Sequence, residues 1–213
     1  MKTYNIAAIP GDGIGGEVVS AGVEVLHALA KRDGGFVFAV DEFDWGGEYY
    51  KKHGRMMPKN GRDLIRNHDA ILFGSAGHPD IPDHITLWGL RLAICQPFDQ
   101  YANVRPTRIL PGIQSPLRNV KDKELDWVIV RENSEGEYAG VGGRVHQGLA
   151  IESATDVAMF TRAGVERIIA SPSALPNPVR ANCSRLSPSR TRSVTPWSCG
   201  MKSPMRSPQN TGT

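Results

Sequence analysis

The chain has 213 residues, enough for about one to one and a half domains, and 40% of them are hydrophobic, so a packed core is possible. No apolar run approaches the roughly 18 residues of a membrane-crossing helix. The N-terminus enters a strand pattern directly, with no charged-then-apolar leader, so a cytoplasmic protein is expected. The formal net charge of +3 is unevenly spread: residues 170–213 carry six Lys and Arg and no acid, while the preceding 169 residues carry 19 basic and 22 acidic side chains.

Tyr4 to Ile9 is an apolar run ending at Pro10 and a glycine cluster, which predicts a buried strand and a loop. From Glu17 to Lys31, Val18, Ala21, Val25 and Leu29 recur at helical spacing, and Asp33-Gly34-Gly35 closes the segment. Phe36 to Glu42 predicts a second strand, Asp63 to Asn67 a short helix, and Ala70 to Gly74 and Trp127 to Val130 further strands. This alternation predicts an α/β fold with a largely parallel sheet. Thr155 is expected to cap a last helix with the stripe Val157, Phe160, Thr161, Gly164, Val165 and Ile168. After Ile169 the periodicity stops. The 44 residues that follow hold nine Ser and seven Pro, and a disordered tail is expected there. Cys183 and Cys199 lie in that tail. Cys95 has no partner for a disulfide framework and reads as a small buried hydrophobe.

Gly11, Gly13 and Gly16 fit the spacing G-x-G-x-x-G between a strand and a helix, as in a dinucleotide fingerprint, with Asp41 or Glu42 as ribose ligands. A tight turn that only glycine can make explains the same spacing. Asp12 inside the loop argues for the turn, because an acid would repel a pyrophosphate. The more informative segments are Leu87-Trp88-Gly89-Leu90-Arg91, Tyr101 to Pro106, and Val130-Arg131-Glu132-Asn133 with Glu137 to Gly140. Arg91, Arg105 and Arg131 each lie in or beside apolar sequence. One such arginine is usually a snorkelling surface residue. Three, with Tyr138 close behind the last, point to a converging anion site for a substrate with two carboxylates.

Ile9 to Gly15, Leu90-Arg91, Ala102-Asn103-Val104-Arg105-Pro106 and Val130-Arg131-Glu132-Asn133 resemble the isocitrate and isopropylmalate dehydrogenase family. The run Phe98 to Gly112 and the segment Ser134-Glu135-Gly136-Glu137-Tyr138 are closest to its tartrate and D-malate dehydrogenase branch. The resemblance covers residues 1–169. It implies oxidation of a small 2-hydroxy dicarboxylic acid by NAD, then decarboxylation assisted by Mg²⁺ or Mn²⁺, in a homodimer. It implies that Arg91, Arg105 and Arg131 clamp the substrate carboxylates, that Tyr138 protonates the enol, and that Leu87 and Trp88 face the variable substituent. Core packing is the plainer role for those last two. It further implies that the glycine loop is not a Rossmann site but lies at the nicotinamide end, with Asp12 and Gly13 as cofactor-binding residues.

The family's catalytic lysine, metal-binding aspartates and adenosine loop are expected beyond the last helix, so no metal ligands are assigned in this chain and it is expected to be inactive as it stands. Residues 1–105 are expected to form a first α/β segment, 106–169 the start of a second, dimerisation domain, and 170–213 an out-of-frame tail. One set of synonymous codons for the tail, read two nucleotides later, continues the interrupted helix and then yields a lysine-asparagine segment like the family's. Two other readings stay open: the 3-isopropylmalate branch, and a non-enzymatic fragment whose basic tail binds nucleic acid. The tail lacks interleaved aromatics, which counts against the latter, and no membrane partner is expected.

Overall fold

The computed structural model describes residues 1–115, residue 117 and residues 125–171. The chain divides into two compact units, Met1–Tyr101 and Ala102–Thr213. The expected disordered tail lies outside the described residues, except that Ala170 and Ser171 finish the last helix.

In the first unit, β1 (Lys2–Gly11) is flanked by β2 (Phe36–Glu42) and β3 (Ala70–Ser75), and both pairings are parallel. Ile6, Ala7, Ala8 and Ile9 are all buried, as befits a central parallel strand covered on both faces. Ala7 and Ile9 join a core cluster with Trp45, Met56, Ile65, Leu90 and Ile94. α1 (Gly15–Asp33) connects β1 to β2 and ends at Gly34, whose left-handed φ of 78° lets its N–H reach the Ala30 carbonyl. Two short helices follow, α2 (Gly47–His53) and α3 (Gly61–Ile65). Beyond β3 come α4 (Asp83–Thr86), a π-helical turn over Leu87–Arg91, and α5 (Leu92–Cys95).

The helix predicted after the glycine loop is present, but its expected stripe is not the buried one. Val18, Ala21, Val25 and Leu29 are exposed, and α1 instead buries Gly15, Val19 and Ala30. The two stripes are one residue apart, about 100° around the helix, and both have helical spacing. Periodicity identifies such a helix without choosing its inward face. Here Gly22 helps to decide it, since a Cβ at that position would already touch the Leu72 side chain at 3.5 Å.

The second unit contains antiparallel ribbons. β4 (Ala102–Arg108) pairs with β5 (Asp126–Glu132), and β6 (Gly136–Val145) pairs with β7 (Ser153–Met159). Among the described residues the parallel pairing expected from the sequence lies in the first unit. The predicted helix start at Thr155 is also corrected: Thr155 lies within β7, opposite Gly143, and α6 runs from Arg162 to Ala170. The cap is Thr161, whose hydroxyl accepts the Gly164 N–H at 3.0 Å. Val157 and Met159 alternate along a strand, so the stripe read from the sequence spliced a strand end to a helix start.

Candidate active site

Leu87, Trp88 and Arg91 all lie in the π-helical turn of the first unit. The Leu92 N–H bonds the Leu87 carbonyl, the wide i to i+5 closure that defines such a turn. Leu90 is fully buried in the core, whereas Trp88 is exposed and Leu87 and Arg91 are half-buried. Gly89 permits this seating, because a Cβ there would lie 2.8 Å from Cγ of Met56. The turn is thus fixed from its inner side, leaving Trp88 on the surface. Cys95 follows on α5; burial pushes its thiol pKa up, against a smaller lowering by the Arg91 charge.

The glycine loop is built by close backbone approach. A Cβ on Gly11 would sit 1.9 Å from the Ser75 carbonyl oxygen, and one on Gly15 would sit 2.0 Å from that of Pro10. Asp12 is buried. Its carboxylate accepts the Gly47 N–H at 2.5 Å and the Gly77 N–H at 2.9 Å. Its backbone N–H bonds the Ser75 carbonyl at 2.9 Å, and the Ser75 hydroxyl donates to its carbonyl. Asp12 therefore ties the loop after β1 to the entry of α2 and the exit of β3. Gly13 differs: its φ is +54°, and a Cβ there would meet nothing within 4 Å.

Arg105 and Arg131 belong to the β4–β5 ribbon of the second unit. Asn103 is opposite Arg131, Arg105 opposite Ile129, and Thr107 opposite Trp127. Directly opposed residues share a face, as do residues two apart on one strand. Both arginines therefore share one face with Asn103, Thr107, Trp127 and Ile129, and that face carries no acid. Glu132 and Asp126 fall on the other. Tyr138 is the third residue of β6, and its oxygen accepts a hydrogen bond from Nη2 of Arg131 at 3.0 Å. The Arg131 guanidinium carbon is also 5.2 Å from the centre of the Tyr138 ring, within cation–π range. Arginine has donors only. The Tyr138 oxygen must be the acceptor here, which leaves its own proton to be given elsewhere.

Sequence reading missed the acids between Arg131 and Tyr138. Glu132 accepts the N–H groups of Ser134 and Glu135 at 2.9 and 2.7 Å and the Ser134 hydroxyl at 2.5 Å. Burial works against its charge, but these bonds and the nearby Arg167 prevail and hold its carboxyl below the usual glutamate range. Glu135 accepts the N–H and the hydroxyl of Thr161 at 2.8 and 2.5 Å. Thr161 was as good a cap residue as Thr155 in the sequence, since a threonine at either position can accept an N–H of the first turn. Among the described residues no three His, Cys, Asp or Glu side chains gather as metal ligands. No helix among them is long and apolar enough to cross a membrane.

Comparison with known proteins matches residues 5–178 to the family described as isocitrate/isopropylmalate dehydrogenase. The chain is 65% identical over 169 residues to the probable tartrate dehydrogenase/decarboxylase of Agrobacterium vitis, covering 79% of this chain and 47% of that protein. It is 48% identical over 171 residues to the decarboxylating D-malate dehydrogenase of Escherichia coli K12, again covering 79% and 47%. Among solved structures it resembles the isocitrate dehydrogenase of Methylococcus capsulatus, with a TM-score of 0.61 and 30% identity over 80% of this chain and 47% of that one. It also resembles the apo β-decarboxylating dehydrogenase of Thermococcus kodakarensis, with a TM-score of 0.56 and 33% identity over 80% and 45%. The chain spans about half the length of the curated relatives it matches. On the breadth of the family match and the order of its motifs, the chain belongs to the isocitrate/isopropylmalate dehydrogenase family.

Proposed function

We propose that this chain supplies the substrate-binding half of an NAD-dependent, decarboxylating dehydrogenase of small 2-hydroxy dicarboxylic acids, with tartrate or D-malate as substrate. The observation that carries the reading is the acid-free face of the β4–β5 ribbon, bearing Arg105 and Arg131, with Arg131 bonded to Tyr138. Guanidinium forks match carboxylates and keep their charge. Arg91, from the π-helical turn, is assigned to the same substrate, and Leu87 and Trp88 to its variable substituent.

NAD, when bound, would supply the hydride acceptor for the carbon bearing the hydroxyl, and the hydroxyl proton would pass to a base, the lysine that the family resemblance puts beyond the last helix. The carboxylate on the adjacent carbon, β to the new carbonyl, then departs as carbon dioxide, and the electron pair of the broken carbon–carbon bond forms an enolate. Tyr138 returns a proton to carbon from the hydroxyl that Arg131 holds by its oxygen. Gly13, with open space beside it, is assigned to the nicotinamide end of the cofactor, and Asp12 to the loop that presents it. Mg²⁺ or Mn²⁺ is the expected metal, but the described residues do not gather a set of ligands for it.

A cytoplasmic homodimer is part of the proposal. The β6–β7 ribbon supports it: every residue of β7 is exposed, with Val157 facing Val141, and a lone two-stranded ribbon is marginal in water. The test is a chimera joining residues 1–169 to the second half of the Agrobacterium vitis relative. It is expected to dimerise and to form NADH from D-malate or tartrate with Mn²⁺. Turnover of 3-isopropylmalate alone would move the chain to that branch, and absence of turnover with every diacid would defeat the proposal.

A further inference from the structure

Arg131 and Tyr138 are separated by a tight turn, residues 133–135, and whatever fixes that turn fixes their contact. The second unit is shallow: among its described residues only Asn133, Gly136 and Gly164 are buried, and all three lie at this turn or against it. Its hydrogen bonds converge on the carboxylates of Glu132 and Glu135. One Glu132 oxygen, Oε2, accepts both successive N–H groups of Ser134 and Glu135. The other, Oε1, accepts the Ser134 hydroxyl and lies 3.5 Å from Nη2 of Arg167 in α6. That same Nη2 donates to the Ser134 oxygen at 2.8 Å. The next acid, Glu135, grips the Thr161 cap of α6, and Gly164 leaves room for it, since a Cβ there would lie 2.2 Å from Oε2 of Glu135 and would push that carboxylate aside. The Glu135 carbonyl then accepts the Tyr138 N–H at 3.2 Å.

We propose that Glu132 is a positioning residue: anchored by Arg167 of α6, its carboxylate shapes the turn that sets Tyr138 against Arg131. The catalytic meaning of that contact rests on the function proposed above; the positioning itself does not. A carboxylate suits the place because it only accepts, and every group around Glu132 donates. Glutamine has the same size but turns an NH₂ toward one of those donors.

The experiment uses the 213-residue chain labelled with ¹⁵N, with the Arg131 guanidinium signals assigned by Arg131→Lys and their link to the phenol tested by Tyr138→Phe. The parent should show separate, slowly exchanging Nη–H signals for Arg131 that shift in Tyr138→Phe. In Glu132→Gln they should merge into the averaged signal of an unbound guanidinium, and the Ser134 and Glu135 amides should exchange at least about tenfold faster, while β1 amides keep their rates. Arg167→Met should give the same change in part, and Arg167→Lys should recover some of it, which a purely packing role for this side chain would not produce. Should Glu132→Gln unfold the second unit, seen as lost protection across β4 and β5, Ser134→Ala removes one donor only and decides the matter in the same way. Arg131 signals that stay separate in these variants while the turn amides speed up would overturn the inference. Failure of the dehydrogenase reading would look different: the chimera would ignore Tyr138→Phe and Arg131→Lys, with the coupling of Arg131 to Glu132 intact.

Discussion

The two units hold themselves together by different means. In Met1–Tyr101 a parallel strand is covered on both faces, and every buried apolar side chain among the described residues belongs to this unit, from Ile6 to Ile94. The unit beginning at Ala102 leaves Val104, Trp127, Ile129, Val157 and Phe160 exposed and concentrates its order in one polar turn. Parallel sheets are found with both faces covered, whereas an antiparallel sheet can leave one face to water. Both units carry residues of the proposed chemistry, but they position them differently. The first unit has a hydrophobic core of its own, while the second holds Arg131 and Tyr138 in register through hydrogen bonds to ionised groups.

The largest expected effect tests the core. Leu90→Ala should cost about 2–5 kcal/mol in urea unfolding of the first unit, because it opens a cavity in a fully buried site. Val157→Ala, on the exposed β7, should cost less than about 1 kcal/mol. Equal losses would erase the contrast between the units.

An intermediate effect should follow acidification. The Glu132 carboxyl is held below its ordinary value of 4.5, so its contribution is complete above that value and is lost as pH falls through the folded-state pKa. Among the described residues the charged group facing it is Arg167 from α6, while the Glu135 carboxylate of its own turn is taken up by Thr161. Lowering the pH from 6 to about 3 should release the turn amides of the second unit before those of β1, as followed by hydrogen exchange. Simultaneous release of both units would show that the carboxylate does not sustain the turn.

The smallest effect concerns Cys95. Burial raises its thiol above the ordinary value of 9.0, so iodoacetamide should label it more slowly at neutral pH than a free cysteine peptide. Labelling at the free-peptide rate would mean that this end of the first unit opens readily.

Much of the first unit is legible in the sequence, because there burial and periodicity coincide. Phe36–Glu42 is strand from end to end, and Gly34 closes α1 where the Asp-Gly-Gly run indicates. The inward face of α1 is not legible, since two apolar stripes compete and only contact with β3 selects between them. The second unit is read less well for a physical reason. Its ribbons bury no apolar face among the described residues, so alternation carries little signal, and Val157 of β7 and Val165 of α6 pass for one helix stripe although the Thr161 cap divides them. The arginines and Tyr138 were readable as residue types in long motifs. The face shared by Arg105 and Arg131 depends on strand register, and the role of Glu132 depends on a turn whose partners lie up to 35 positions away, at Arg167.

The central claim is that the β4–β5 ribbon recognises a dicarboxylate through its arginines. It is tested most directly by kcat/KM for D-malate in the chimera carrying Arg105→Met, compared with its parent. A loss of about 2–5 kcal/mol in transition-state binding, roughly 30-fold to several thousand-fold, is predicted, because a substrate carboxylate would be left without its charged partner. A kcat/KM within about twofold of the parent would contradict the account.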